Sequence, residues 1–397
     1  MNPKRRNEVA NLSITTGGLR LKNPIVLASS PLTAKLERLK RADENGAAAV
    51  SLKHSLLKQQ FHARPRWYAE KGLGVIVSGD PRLEVEEAQE LIRKAKEQTG
   101  LQIIVNMSAL PTDLDSWGKL ARRFEEAGAD AVELNMNCPN LHTAQAQGPT
   151  LGANLGQDPE SCAKVVANVK QHVRIPVIAK LPTEGGRLPQ VAAACSAAGV
   201  DILNIHAGFR AAPGLDIYNG GVMRYPGSTA GPLGGFSGPW SRLISNRFIA
   251  DIARQQGAPV MGGGGISTWE HVVESIMYGA WSVQICTAVM LEGYELVGRI
   301  LKSLSAYMDN MGYQGIADFQ GLALNNILGP NQMAYTDVTA CVDEAKCIGC
   351  AKCTRLAACD AIRMEGKKAR PDPALCVGCG LCVAVCPSGA IRYEPKA

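Results

Sequence analysis

The sequence predicts an α/β protein, a (β/α)8 barrel followed by a small cysteine-rich α+β module, and three observations carry that prediction. Eight short β-branched runs alternate with amphipathic helical stretches through the first 300 residues. The long connections follow predicted strands. Nine of the thirteen cysteines fall in the last 57 residues. A chain of 397 residues has room for a large barrel and a small appended module, at about 150 residues per domain.

Taken in order, Leu12 to Thr15 and Leu19 to Leu21 read as two short strands around Gly17 and Gly18. The eight barrel candidates are Ile25 to Ser29, Ala48 to Lys53, Gln102 to Asn106, Ala131 to Asn135, Pro176 to Leu181, Ile202 to Ile205, Pro259 to Gly262 and Val283 to Cys286. Helical spacing fills the intervals. In Asp115 to Gly128, Leu120, Phe124 and Ala127 recur on one face and Gly128 supplies the stop. Eight strand–helix units in about 280 residues fit a closed barrel better than an open doubly wound sheet, the alternative architecture. The connections Lys53 to Leu101, Cys138 to Gln171 and Ala207 to Ser241 are long and would lie on the C-terminal face, where barrels build their sites. The expected organisation is a barrel over 1–303, a helical tail and linker over 304–340, and a separate module over 341–397.

Composition narrows the function classes. The chain is 46% apolar and 20% charged, as soluble globular proteins are. No apolar run reaches the length of a bilayer span, and Met1 to Ser13 is basic without an apolar signal core, so the sequence reads as a cytoplasmic protein with no membrane partner. The net charge of +6 is small for 42 basic residues, and aromatics are only 5%, so neither a basic stripe nor stacking platforms support nucleic-acid binding. Without a secretory signal, dense cysteine points to metal or cluster ligation instead of disulfides.

The cysteine spacing is the most specific signal. Cys347, Cys350 and Cys353 form C-x2-C-x2-C with Cys359 beyond; Cys376, Cys379 and Cys382 repeat the triplet, followed by Cys386-Pro387. This is the spacing of a two-cluster ferredoxin, in which each triplet takes its fourth ligand from the other half. Cys347, Cys350, Cys353 and Cys386 would hold one [4Fe-4S] cluster, and Cys376, Cys379, Cys382 and Cys359 the other. A zinc ribbon would show two C-x2-C pairs. The first half departs from the pattern: five residues separate Cys353 from Cys359 where three are usual, and Asp360 replaces proline. Two clusters conduct single electrons and require a donor and an acceptor.

Glu133-Leu134-Asn135-Met136-Asn137-Cys138-Pro139-Asn140 ends the fourth strand and resembles the E-L-N-x-S-C-P motif of dihydroorotate and dihydropyrimidine dehydrogenases. Gly156-Gln157-Asp158-Pro159-Glu160, Ala179-Lys180-Leu181, Gly234-Gly235-Phe236-Ser237-Gly238 and Gly264-Gly265-Ile266 extend the resemblance in the same order, and the cysteine module completes it over essentially the whole chain. The resemblance implies an FMN barrel. A flavin suits a chain with clusters because it takes electrons singly and passes them on as hydride. Backbone after strands seven and eight would hold the FMN phosphate, at Gly264, Gly265, Ile266, Cys286 and Thr287. By itself a glycine run is only a flexible turn, and no G-x-G-x-x-G nucleotide fingerprint is present.

Lys53 and Lys180 each end an apolar strand, where a lysine either snorkels to solvent or carries a function. The resemblance implies flavin contacts for both, and for Ser29, Asn106 and Gly238. It makes Cys138 the general acid that protonates a ring carbon after hydride attack, whereas a lone cysteine is a small buried hydrophobe. Asn135 and Asn204 match pyrimidine-binding asparagines. Asn137 and Asn140 stand where the pyrimidine enzyme has serine and histidine, Ile205 replaces a polar residue, and His206 is either a new substrate contact or a core histidine.

The expected activity is reduction of a ring C=C conjugated to a carbonyl, with uracil or thymine giving the dihydropyrimidine. Electrons would come from a separate NAD(P)H-oxidising FAD/iron–sulfur subunit or a ferredoxin, and the resemblance implies an oligomer. Dihydroorotate oxidation, reduction of another cyclic unsaturated amide, and a purely electron-relaying subunit are the alternatives.

Overall fold

The computed structural model describes residues 10–57, 65–110, 113–138, 152–228, 230–333 and 335–396. Two units divide the chain, Met1–Asn326 and Ile327–Ala397. In the first, Ile14–Thr16 and Leu19–Leu21 pair antiparallel, and the two-residue turn has Gly17 and Gly18 at φ 51° and 81°, the left-handed region that a tight hairpin demands.

Eight parallel strands then close a barrel: β1 (Ile25–Leu27), β2 (Ala49–Leu56), β3 (Gln102–Ser108), β4 (Ala131–Asn135), β5 (Val177–Leu181), β6 (Ile202–His206), β7 (Val260–Gly263) and β8 (Ala280–Ile285). Each pairs with its sequence neighbour, and β8 returns to β1 through Val283 opposite Ile25. The helices between them are α1 (Leu36–Glu44), α2 (Val85–Gln98), α3 (Asp115–Glu126), α4 (Pro159–His172), α5 (Leu188–Ala197), α6 (Arg242–Ala253) and α7 (Trp269–Met277); α8 (Thr287–Glu292) and α9 (Glu295–Met311) follow β8. All eight sequence-predicted strands are present, Ala131–Asn135 with both ends as expected and the others with ends shifted by at most three residues.

Alternation decides what each strand presents. Along β2 every residue is buried; Val50 and Leu52 belong to the apolar core, while Ser51 and Lys53, one step out of phase, share the opposite face. Two residues of the Gly156-Gln157-Asp158-Pro159-Glu160 stretch have structural causes. Asp158 caps α4 by accepting from Ser161 N at 2.9 Å, with Pro159 at the first helical position. Gly156 packs beneath the Met136 carbonyl and Pro182, where a side chain has no room.

Among the described residues, the connections after β2 and β6 are more ordered than the sequence suggests. Trp67–Glu70 and Gly74–Val77 form a hairpin after β2, and Gly234–Ser237 and Phe209–Ala211, from the connection after β6, join it. The result is a four-stranded antiparallel roof at the C-terminal end of the barrel. Its strands have only three or four residues and two contain glycine, which leaves too short a pattern for periodicity to register.

In the second unit, Val338–Val342 pairs with Ile391–Pro395 and Ile362–Glu365 with Lys368–Pro371, both antiparallel. A short helix, Leu381–Val385, carries Cys382, the last cysteine of the second triplet. The core is small: Ala340, Ala361, Ile362, Ala369 and Ile391 with cysteines among them. Among the described residues no helix is long and apolar enough to cross a membrane.

Candidate active site

The barrel interior is organised by a buried carboxylate. Glu133, on β4, is fully buried. Its Oε2 accepts from Ser51 Oγ and Asn106 Nδ2, and its Oε1 from Asn204 Nδ2 and Gln284 Nε2, each at 2.6 Å. Lys180 Nζ lies 3.7 Å from Oε2 and donates to Gln284 Oε1 at 2.7 Å. Burial alone would raise this carboxyl's pKa, but the Lys180 charge and the converging donors outweigh it and hold the group below its ordinary range. Glu133 is therefore ionised, and it fixes side chains from β2, β3, β5, β6 and β8 in one layer.

Above that layer, between barrel and roof, opens a cavity of about 350 Å3. Lys53 and Lys180 reach its wall. Lys53 is tied to Asp80 at 2.6 Å, with both side chains nearly buried. Cys138 stands on the same wall, half-buried. Its position comes from Asn135, whose Oδ1 accepts from the Asn137 and Cys138 backbone N–H groups at 3.3 and 2.9 Å, turning the chain sharply as it leaves β4. On another side the backbone of Gly264 and Gly265 forms the wall, beside Thr287. Gly265 has φ 70°, and a Cβ there would lie 2.6 Å from Arg242 N, so backbone alone can occupy this edge.

Asn137 and His206 meet across the cavity, Asn137 Nδ2 lying 3.2 Å from His206 Nε2. Burial, then the Lys180 charge, pushes the His206 pKa down to about 3, against a smaller upward pull from Glu133. The unfolded chain binds this proton below about pH 6.5 and the folded chain does not until about pH 3, so stability falls as pH drops through that window. The loss reaches up to about 2 kcal/mol by pH 5. Thermal melting at pH 7 and pH 5 checks this: His206→Gln is expected to lose less on acidification than the wild type, and equal losses would refute the assignment.

In the second unit, Cys347, Cys350, Cys353 and Cys386 surround one pocket, and Cys359, Cys376, Cys379 and Cys382 another. Among the described residues no three His, Cys, Asp or Glu side chains converge closely enough for a single metal ion. A quartet of thiols around a pocket is the donor set that an iron–sulfur cluster takes.

A family model described as dihydroorotate dehydrogenase matches residues 11–308, and one described as a 4Fe-4S dicluster domain matches 340–393. The chain belongs to the dihydroorotate dehydrogenase family. Its relatives divide between two named activities. The chain is 32% identical to a dihydroorotate dehydrogenase B (NAD(+)) catalytic subunit of Pyrococcus abyssi over 79% of this chain and 99% of that one. It is 31% identical to the protein of the same name from Thermoplasma acidophilum, over 80% and 100%. It is 29% identical to the NAD-dependent dihydropyrimidine dehydrogenase subunit PreA of Escherichia coli K12, over 80% and 78%.

Within this dihydroorotate dehydrogenase-family barrel, Ser29, Lys53, Asn137, Cys138, Lys180, His206, Gly238, Gly264, Gly265, Ile266, Cys286 and Thr287 all line the same cavity. Asn106, Asn135 and Asn204 do not line it. Asn106 and Asn204 bond to Glu133, and Asn135 donates to Asn106 Oδ1 at 2.8 Å. Asn140 lies outside the described residues. Sequence reasoning gave no role to Glu133, Gln284 or Asp80. The first two carry a legible signal, a polar residue inside an otherwise apolar strand; Asp80 carries none, because a folded-back hairpin brings it to Lys53.

Proposed function

We propose that this iron–sulfur flavoenzyme reduces the C=C of a neutral cyclic amide conjugated to a carbonyl, with uracil or thymine as substrate and the 5,6-dihydropyrimidine as product. The observation that carries the reading is a thiol, Cys138, in the wall of a cavity that also holds two buried lysines and a glycine-backbone edge. FMN fits these surroundings: the edge beside Gly265 admits a phosphate because no Cβ intrudes, and Lys53 and Lys180 supply positive charge for an anionic reduced isoalloxazine. When bound, FMN supplies hydride to one ring carbon and accepts electrons singly.

The chain's residues do the rest. Cys138 Sγ–H gives its proton to the other ring carbon, so one hydride and one proton saturate the double bond. Glu133 faces Lys180 at 3.7 Å, and Asp80 is paired with Lys53 at 2.6 Å. Trp67, Val75, Val77 and Phe236 of the roof line the cavity on the side away from the Glu133 layer. Electrons reach the barrel through two [4Fe-4S] clusters, held by the two cysteine quartets, from a separate NAD(P)H-oxidising flavoprotein or a ferredoxin; the word subunit in both relatives' names supports a partner.

A second reading, oxidation of dihydroorotate, has the Pyrococcus and Thermoplasma relatives behind it. A carboxylated ring calls for a cation in the cavity wall, and among the described residues the two lysines that line the cavity are engaged, with Asp80 and with Gln284 and Glu133. Anaerobic turnover of cluster-loaded, FMN-bound protein with reduced methyl viologen tests the choice. Uracil or thymine is expected to be consumed and orotate left; the reverse pattern would establish the second reading in its place.

A further inference from the structure

The charges in the cavity wall balance. Among the described residues the charged members of that wall are Lys53, Lys180, Asp80 and Glu292, two cations and two anions. Each has a counter-charge: Lys53 with Asp80, Lys180 with Glu133 in the layer beneath, and Glu292 with Arg299. His206, its pKa pushed down to about 3 by burial, adds no positive charge near neutrality. The Lys53–Asp80 pair is built into the fold. Lys53 stands on β2, and Asp80 comes just beyond the roof strand Gly74–Val77, in a segment pinned back on β2. There Leu83 N donates to His54 O at 3.0 Å, and Leu83 forms a parallel bridge with Ser55. Held by the roof on one side and by β2 on the other, Asp80 Oδ1 meets Lys53 Nζ at 2.6 Å with both side chains nearly buried.

We propose that Asp80 is a specificity-determining residue: by occupying Lys53 it keeps rings that carry a carboxylate out of the cavity and admits neutral ones. The proposal rests on the reading of this cavity as the substrate site. A ligand carboxylate that approaches Lys53 meets a like charge at Asp80, and in a nearly buried site that repulsion is weakly screened. It can pair with the lysine only by displacing a partner already at hydrogen-bond distance. A neutral C=O meets neither obstacle, because it carries no charge for Asp80 to repel and a lysine head group has three N–H donors to share. Lys180 offers a carboxylate no better berth: Gln284 Oε1 accepts from it at 2.7 Å, and Glu133 lies 3.7 Å away. Removing the Asp80 charge alone would leave Lys53 an unpaired cation in the wall, and a ligand carboxylate would then supply the missing counter-charge. One side chain therefore decides between two charge classes of substrate.

The test compares two ligands of nearly the same shape, orotate and its carboxamide, orotamide, which differ in the charge of the ring substituent. Binding is followed by calorimetry on the FMN-loaded full chain, without turnover, with uracil as reference. Wild type is expected to bind uracil and orotamide, and to bind orotate about tenfold or more weaker. Asp80→Asn should shift the ratio of the orotate and orotamide affinities about tenfold or more toward orotate. The Lys53→Met/Asp80→Asn double variant should lose that gain, since the gain needs the lysine. A purely structural role would weaken both ligands together and leave the ratio unmoved. The proposal is overturned if wild type binds orotate as tightly as orotamide, if a folded Asp80→Asn keeps the wild-type ratio within about twofold, or if the double variant retains the gain. Should a variant not fold or not take up FMN, the wild-type comparison decides alone. Uracil reduction by viologen in a protein that binds orotate as tightly as orotamide would sink the role of Asp80 and leave the reductase. Binding in the expected pattern without reduction would do the opposite, and no ring binding at all would overturn both.

Discussion

Cys138→Ala is expected to lower the rate of uracil reduction by about 10²–10⁴-fold, the range in which a positioned proton donor contributes. Flavin content, iron content and the rate at which a chemical donor reduces the flavin should not change. The split follows from where the thiol stands. Its Sγ forms part of the cavity wall, while the turn that carries it is held through backbone N–H groups by Asn135, so removing the sulfur leaves that anchor in place. Hydride transfer without a proton partner would leave charge on the ring. Cys138→Ser should fall between the two, because a hydroxyl occupies the same place but is a weaker acid than a thiol. Stopped-flow measurement of the reductive and oxidative half-reactions separates the steps. An alanine variant that reduces uracil within about threefold of wild type would remove the acid from this mechanism and favour a barrel that only relays electrons.

Glu133→Gln is expected to destabilise the barrel by about 3–5 kcal/mol, the scale of breaking a buried charge pair by removing one partner. The substitution is nearly isosteric, so the effect is electrical. Four donors converge on the two carboxylate oxygens; an amide turns one of those acceptors into a donor and opposes N–H to N–H or O–H. Lys180 also loses its facing charge. Thermal melting followed by flavin release would read the loss. A Glu133→Gln/Lys180→Met double variant should recover part of it, since it no longer buries an unpaired ammonium. If the single variant melts with the wild type, the carboxylate is not what holds the layer together.

How much of this was legible in the sequence depended on the range of the cause. Strand order and the two cysteine triplets were readable because local pattern dictates them: buried parallel strands run apolar, and thiols bound to one cluster recur at fixed short spacing. The pairing of Cys386 with Cys347 followed from the internal repeat, and even the lengthened segment before Cys359 leaves that sulfur in a quartet with Cys376, Cys379 and Cys382. The roof was not legible, because its strands are short and their partners lie in a different connection. Lys53 and Lys180 were recognisable as misfits in apolar strands, yet the groups that neutralise them, Asp80 and Glu133, could be paired with them only in space. For the same reason the bond from the Asn204 amide N–H2 to Glu133 was not legible in the sequence.

The roof joins segments far apart in the chain, Val77 opposite Gly235, about 160 residues of separation whose closure entropy must be met before any bond between them forms. During synthesis the Trp67–Glu70 and Gly74–Val77 hairpin therefore emerges long before its partner strand exists, and the barrel mouth stays uncovered until β6 and the connection beyond it have been made. Gly264, Gly265 and Thr287, which line the same cavity, are made later still, so the cavity is complete only after the roof strands exist. In the finished molecule this cross-chain seam is the natural place for exchange with solvent to begin, so amide hydrogen exchange along Gly234–Ser237 should slow when the cavity is filled.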